Sequence, residues 1–197
     1  QDISEIKTLM HKSSRFISLS GLSGILAGIY ALIGAWYAYW LVNLQGNGYL
    51  PLHGGLFKKC ILILCGVGVI SIATAILLTT RKAKRNQEKI WDTKTKTLLI
   101  RFLVPLVAGG VYILIMLSQG RYGQSGSLML LFYGIALYSA SNYTLGYVKY
   151  LGITEILLGL VSALFPGYGF WFWVVGFGWM HIFYGSLMYW KYDKNRA

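Results

Sequence analysis

The chain has 197 residues, of which 56% are hydrophobic and only 12% are charged. A soluble domain typically carries about 25% charged residues, so this composition excludes an ordinary water-soluble globular protein. The formal net charge of +12 can accompany nucleic-acid binding, but no recognition module accompanies it here, and we expect no nucleic-acid partner.

Apolar stretches dominate the sequence, and most are long enough to cross the roughly 30 Å hydrocarbon core of a membrane. They show no alternation of apolar and polar residues, which argues against membrane strands. The predicted fold class is therefore all-α, a polytopic membrane protein with a six-helix transmembrane domain at 16–190. A short amphipathic interfacial segment, 1–15, precedes this domain, and a cytoplasmic tail, 191–197, follows it. The predicted spans are about 16–42, 60–80, 97–118, 128–148, 150–166 and 170–190.

The distribution of Lys and Arg predicts the orientation of these spans. With the N-terminus cytoplasmic, fourteen of the eighteen basic residues fall on the cytoplasmic side. Only Lys58, Lys59 and Arg121 fall on the other side, and Arg101 lies within a span. Since basic residues favour cytoplasmic loops, we expect both termini inside, in a bacterial inner membrane. The basic connector 81–96 is expected to contact anionic lipid headgroups.

Small and polar residues mark one face of four spans. Such faces point toward protein rather than lipid, because they let helices approach closely and pair their polar groups. The residues are Ser20, Gly24 and Gly28 in the first span, Ser139, Asn142, Tyr143 and Gly146 in the fourth, Gly152, Glu155, Gly159 and Ser162 in the fifth, and Gly178, His181 and Gly185 in the sixth. We expect these faces to look inward.

The third span is predicted to begin at a cap and to contain a kink. Asp92 or the threonine after it is placed to cap the helix. Pro105 cannot donate a hydrogen bond to the carbonyl group of Arg101, four residues earlier. Gly109 and Gly110 follow, so the helix is expected to bend in this region.

Glu155 stands apart from the other acidic residues, since it alone of six lies inside an apolar segment. An ionised carboxylate in hydrocarbon is costly, so this side chain implies a partner, a bound proton or a water-lined cavity. The fifth and sixth spans are joined by a tight turn at 166–169. Glu155 lies eleven residues before this turn and His181 twelve after it, which places them at nearly the same depth.

Counting from the span ends brings two more polar residues to a similar depth, Arg101 in the third span and Asn142 in the fourth. We therefore expect Arg101, Asn142, Glu155 and His181 to form a polar cluster in the cytoplasmic half of the bundle. Three interpretations of this cluster remain open. It can be structural, with Arg101 paired to Glu155; it can bind a ligand or a proton; or Glu155 and His181 can act in catalysis, although no nucleophile or metal set accompanies them.

The histidines and cysteines do not predict a metal or haem site. His11, His53 and His181 lie at three different depths, and no H-x-x-x-H or C-x-x-C spacing occurs. Haem held by two histidines would need a second imidazole inside the bundle. We expect no metal, no cofactor and no assigned catalytic residue.

Four segments carry a resemblance: SRFISLSGLSGILAGIYALIGA, WDTKTKTLLIRFLVPLVAGG, LGITEILLGL and GYGFWFWVVGFGWMHIFYGSLMYWKY. Together they resemble a group of uncharacterised six-helix bacterial integral membrane proteins, which implies the fold and no activity. Proteins of this group sometimes carry the label carotenoid cleavage oxygenase. That chemistry is associated with a soluble β-propeller and iron held by four histidines, whereas this chain has three histidines.

The sequence therefore favours a non-enzymatic sensor or accessory subunit that binds a partner protein or small ligand through the polar cluster. One alternative is a small proton-linked transporter or channel that acts as an oligomer, because six short spans enclose little pathway alone. The second is an intramembrane enzyme. Expected partners are membrane lipids and either a second copy of the chain or another membrane protein.

Overall fold

The computed structural model describes residues 20–46, 54–85, 91–144 and 146–194. Within these ranges the regular secondary structure is entirely helical, which confirms the all-α prediction for this part of the chain. The interfacial segment 1–15 lies outside the described residues. The first five helices are α1 Gly21–Gly46, α2 Gly55–Arg85, α3 Thr93–Ser118, α4 Ser125–Ala140 and α5 Tyr147–Leu164.

The sixth helix, α6, is composite. It is α-helical over Gly169–Trp173 and His181–Met188, and π-helical over Val174–Met180 and Tyr189–Asp193. A π-helix closes its hydrogen bonds over five residues rather than four and is therefore wider than an α-helix. Because α6 continues to Asp193, the first residues of the predicted cytoplasmic tail are helical.

Four helices, α1, α2, α3 and α5, are long and apolar enough to cross a membrane. The chain is therefore a helical membrane protein by length and composition. Helix α4 has only 16 residues, and at 1.5 Å per residue it is about 24 Å long, shorter than the roughly 30 Å hydrocarbon core. A short 3₁₀ turn, Ser141–Tyr143, extends it toward α5.

Helices α1, α4, α5 and α6 pack together, while α2 and α3 lie outside them. Helix α1 contacts both α2 and α6, and α4 contacts both α3 and α5. The start of α6 packs on α4, and its later part packs on α5 and α1. None of the most apolar window of α2 is buried, so this helix presents its aliphatic side chains outward.

Glycines bring α1 and α6 into close contact, as their spacing predicted. A Cβ atom on Gly24 would lie 3.2 Å from the Cα of Gly185. A Cβ on Gly28 would lie 2.6 Å from the carbonyl oxygen of Gly178. These distances leave no room for side chains, so glycine is what allows the two backbones to touch.

Helix α3 begins at Asp92, which caps it by accepting a hydrogen bond from the Thr93 amide, and this confirms the predicted cap. Pro105 lies inside the helix, which continues beyond it. A Cβ on Gly109 would overlap the Phe132 side chain of α4, whereas one on Gly110 would meet nothing within 4 Å. Gly109 therefore lets α4 pack closely on α3. The bend at Pro105 stays a prediction.

Three helix ends meet at Asp193. Its Oδ2 atom accepts a hydrogen bond from the Gly21 amide at 3.0 Å, and its Oδ1 atom forms an ion pair with Lys82. The start of α1, the end of α2 and the end of α6 therefore lie at the same end of the bundle. An apolar core cluster of Leu137, Val148, Leu151 and Met188 also includes the end of α6.

Candidate functional site: a buried carboxyl–imidazole pair

The packing of α5 against α4 places Glu155 inside the bundle. Gly152 and Gly159 lie one turn before and one turn after Glu155 on the same face of α5. A Cβ on Gly152 would lie 2.8 Å from the Tyr138 amide nitrogen, and one on Gly159 would lie 2.8 Å from that of Leu131. Because the backbones touch on both sides of Glu155, its side chain points between the helices rather than toward lipid.

The carboxyl group of Glu155 has no exposed surface at all. Neither Oε1 nor Oε2 has a hydrogen-bond partner among the described residues. The nearest basic atom is Nδ1 of His181, which lies 3.5 Å from Oε1. A buried carboxylate without hydrogen-bond donors is costly. The group therefore either carries a proton and is neutral, or is ionised and paired with a charged imidazole.

His181 is held by hydrogen bonds on both ring nitrogens. Nδ1 lies 3.0 Å from the carbonyl oxygen of Gly176, and Nε2 lies 2.8 Å from the hydroxyl group of Tyr133. A carbonyl oxygen only accepts, so Nδ1 carries a hydrogen and donates it to Gly176. In the neutral ring Nε2 then accepts from the Tyr133 hydroxyl, which defines the tautomer.

Two aromatic rings fix the plane of this imidazole. The Tyr133 ring stacks on it at 5.4 Å between centroids and an angle of 25°. The Phe177 ring stacks on it at 5.8 Å and 13°. The Tyr133 and Phe177 rings also lie 5.0 Å from each other, so the three rings form one cluster. With both nitrogens bonded and two rings packed against it, the imidazole cannot rotate without breaking several contacts.

The first π-helical segment of α6, Val174–Met180, forms the wall opposite Glu155. Gly176 lies in this segment, and a Cβ there would overlap Oε2 of Glu155 and the Leu130 side chain. The absence of a side chain at this position makes room for the carboxyl group. Insertions of π geometry in helices are uncommon and often occur at functional sites.

The structure brings together only two of the four residues predicted for the polar cluster. Arg101 is exposed, and its guanidinium carbon lies 5.2 Å from the centroid of the Tyr143 ring rather than at Glu155. Asn142 is exposed in the 3₁₀ turn. The Arg101–Glu155 ion pair of the structural interpretation does not form, because α3 packs against α4 and its 3₁₀ turn, which keeps Arg101 on the outside. Asn142 leaves the inward face because α4 ends at Ala140.

Tyr133 is the site residue that sequence analysis missed. It contacts His181 from the middle of α4, where the residue spacing gave no polar signal. Its neighbour Gly134 packs closely on α5, since a Cβ there would lie 2.7 Å from the Gly152 carbonyl oxygen. This contact, which turns the adjacent side chain toward α6, depends on tertiary packing and not on local composition.

The described residues contain no group of three or more His, Cys, Asp or Glu side chains placed to hold a metal ion. The fold and the site define the class as a helical membrane protein with a buried carboxyl–imidazole pair. Comparison with protein families, curated proteins and solved structures returns no match. The resemblance to six-helix bacterial membrane proteins accordingly stays a prediction.

Proposed function

We propose that this protein is a non-enzymatic membrane sensor or accessory subunit, and that its Glu155–His181 pair binds and releases one proton. The observation that carries the proposal is the state of the carboxyl group. It is fully buried, neither oxygen accepts a hydrogen bond within the described part of the chain, and an imidazole nitrogen lies 3.5 Å away. A proton is the smallest ligand that can neutralise the charge of such a carboxyl group.

The chemistry of the pair makes it responsive to proton concentration. With one dissociable proton between them, the two groups are neutral overall, either as acid and imidazole or as carboxylate and imidazolium. Loss of that proton leaves one negative charge in the bundle without a partner. Binding or release of a proton therefore changes the net charge at the contact between α5 and α6. Such a local change of charge can bias a helix between two arrangements.

The burial of the pair favours sensing over transport or catalysis. Glu155 has no exposed surface, and the His181 side chain is only 7% exposed. A transporter needs a path by which its cargo reaches the carboxylate, and an enzyme needs room for a substrate beside its reactive groups. A proton, unlike a cargo molecule or a substrate, needs no standing cavity beside the group that binds it. An accessory subunit of this kind would act on another membrane protein or on a second copy of the chain.

For the membrane arrangement, we propose six spans with both termini in the cytoplasm of a bacterial cell. Helices α4 and α6 would complete the set, since α4 lies between α3 and α5, which are both apolar enough to span. A short α4 can be accommodated by local bilayer thinning. The meeting of α1, α2 and α6 at Asp193 supports a common cytoplasmic end, where the basic connector 81–96 would contact anionic headgroups.

Infrared difference spectroscopy between high and low pH tests proton binding directly. We expect purified protein in lipid to show a carboxylic-acid carbonyl band that disappears in Glu155→Gln, because glutamine keeps the shape and cannot ionise. Asp92→Asn is the matched control. It alters a half-buried carboxylate at a helix cap remote from Glu155, where asparagine also caps well, and should leave the band in place. A wild-type spectrum with neither this band nor an imidazolium band at low pH, or a carboxylic-acid band that persists in Glu155→Gln, would contradict the proposal.

A further inference from the structure

We infer that a groove between α1 and α2 binds one acyl chain of an anionic phospholipid, whose phosphate group lies at Lys59. The groove encloses about 220 Å³, and nearly all of its wall is apolar. Ile33 and Ile70 at its rim are 59% and 53% exposed, so the groove is open along the side of the bundle. The residues that line it are Tyr30, Ile33, Gly34, Tyr37, Val67 and Ile70.

The close contact of α1 and α2 at Gly34 gives the groove its shape. A Cβ on Gly34 would overlap the Val67 side chain and would lie 3.6 Å from that of Ile63. Tyr30 and Tyr37, about one turn before and one turn after Gly34, line the groove on either side of this contact. A narrow apolar slot with bulky rims fits an extended acyl chain better than a second helix, which packs closely on faces of small residues.

Lys59 lies in line with the groove, toward the end of the bundle opposite Asp193. Lys59, Ile63 and Val67 follow one another at four-residue steps, so they share one face of α2. The Lys59 ammonium group donates a hydrogen bond to Oε1 of Gln45 in α1 at 3.2 Å, which holds it between the two helices. An ammonium group has three hydrogens, so a phosphate oxygen can accept another of them.

The charge and the depth of this end fit an anionic headgroup. Lys58 and Lys59 are both exposed, and neither forms an ion pair with a carboxylate of the described residues. Val67 and Ile70 lie eight and eleven residues beyond Lys59, which is about 12–16 Å along the helix. A lipid whose phosphate contacts Lys59 at the membrane boundary would therefore extend its chain along the groove to about the middle of the roughly 30 Å hydrocarbon core.

Photochemical crosslinking of the protein in phosphatidylcholine vesicles tests the groove. The probe is phosphatidylglycerol with a diazirine group midway along one acyl chain, added as a minor component. We expect crosslinks on the lining residues to exceed those on Ile72 and Ile76, which are exposed elsewhere on α2. Ile70→Trp should lower crosslinking in the groove by about tenfold, because the indole ring fills the space that the chain needs. Ile72→Trp is the matched control at a similarly exposed position, and it should leave crosslinking in the groove unchanged.

The headgroup contact is tested with phosphatidylcholine that carries the same photoreactive chain. We expect wild-type protein to prefer the phosphatidylglycerol probe. Lys59→Gln should reduce this preference by about two- to fivefold, the range that an exposed ion pair contributes. Lys149→Gln in α5 is the matched control, because it removes the charge of another exposed lysine away from the groove, and the preference should be unchanged.

Several results would overturn the lipid site. Crosslinks spread evenly around α2 would show ordinary bilayer lipid only, and equal effects of the two tryptophan substitutions would show that the groove does not hold the chain. Equal labelling by the two probes would remove the contact between the phosphate group and Lys59. A disulfide between two copies that carry Ile70→Cys, in a background without Cys60 and Cys65, would show that a second copy of the chain covers the groove instead.

Discussion

Glu155 occupies a position where none of the residues that the structure describes donates a hydrogen bond to either carboxyl oxygen. Such an arrangement lowers stability, since a buried polar group left unpaired costs about 1–3 kcal/mol. An apolar side chain of similar size would pack there without this cost. We therefore attribute the carboxyl group to function rather than to folding. Its neighbour Gly176 provides the space that the group needs.

Replacing Gly176 by Ala should disturb the site directly. The new Cβ would overlap Oε2 of Glu155 and the Leu130 side chain, so either the carboxyl group or α6 must move. We expect a loss of about 1–3 kcal/mol in the free energy of unfolding, the usual range for overpacking, together with a shifted carboxyl band. Thermal unfolding in detergent and infrared spectroscopy of the same sample measure both effects.

Gly110→Ala is the control for this substitution, because nothing lies within 4 Å of a Cβ at that position in α3. It should stabilise the protein by about 0.5–1 kcal/mol, since alanine is favoured over glycine inside a helix. Equal effects of the two substitutions would show that Gly176 has no special role beside Glu155.

At the residue scale, the sequence predicted the pair but not its surroundings. Glu155 and His181 could be matched because a tight turn joins their helices, which fixes their relative depth by a local count. Arg101 and Asn142 were matched by depth from uncertain span ends, and depth does not determine the direction in which a helix turns a side chain. Tyr133 could not be found, because its partner is set by contacts between distant helices.

At the scale of elements, the glycine stripes were the most informative feature of the sequence. They predicted faces that let other helices approach closely, without saying which helices, and in the structure Gly24 of α1 lies against Gly185 of α6. The π-helical segments of α6 were not predicted. An extra residue in a helical turn leaves no distinct composition, and whether it is accommodated depends on the helices packed around it. The shortness of α4 was likewise hidden, because no proline or charged residue marks its end at Ala140.

Gly185→Ala tests whether the contact between α1 and α6 stabilises the bundle. A Cβ on Gly185 would lie 2.7 Å from the Ile25 amide nitrogen and 3.0 Å from the Gly21 carbonyl oxygen. Backbone atoms cannot move aside as a flexible side chain can, so the two helices must separate. We expect a destabilisation of about 1–3 kcal/mol, measured by thermal or chemical unfolding in detergent.

The matched substitution is Gly68→Ala in α2, where a Cβ would meet nothing within 4 Å. This change should be neutral or stabilising. If Gly185→Ala were tolerated equally well, the close contact of α1 and α6 would not be a determinant of stability.

At the scale of the whole molecule, charged and aromatic residues gather at the end where Asp193 lies. Lys191 stands 5.2 Å from the centroid of the Tyr147 ring, and Arg101 and Lys149 stand over tyrosine rings in the same way. Cations and aromatic rings gather at membrane–water interfaces. That this end is cytoplasmic stays a prediction from the basic residues, and the count of six spans depends on α4 and α6.

Cysteine labelling tests whether α4 spans, because the exposed Arg121 precedes this helix and the exposed Lys149 lies in the first turn of α5, just after it. In a background without Cys60 and Cys65, a membrane-impermeant maleimide should label Arg121→Cys in intact cells. Lys149→Cys should react only after the membrane is opened. Reaction of both from the outside would show that α4 does not cross.

The same design tests α6, which Tyr168 and Lys194 flank as exposed residues. Helix 169–193 has the length to span, since its 25 residues rise by about 37 Å if they are treated as α-helical. Its two π-helical segments shorten it, because a wider helix rises less per residue. We expect Tyr168→Cys to be labelled in intact cells and Lys194→Cys to be protected until the membrane is opened. His181, the partner of Glu155, lies in α6. Equal labelling of the two positions would show that α6 does not cross the membrane, and the pair could then not sense protons from within a membrane-spanning bundle.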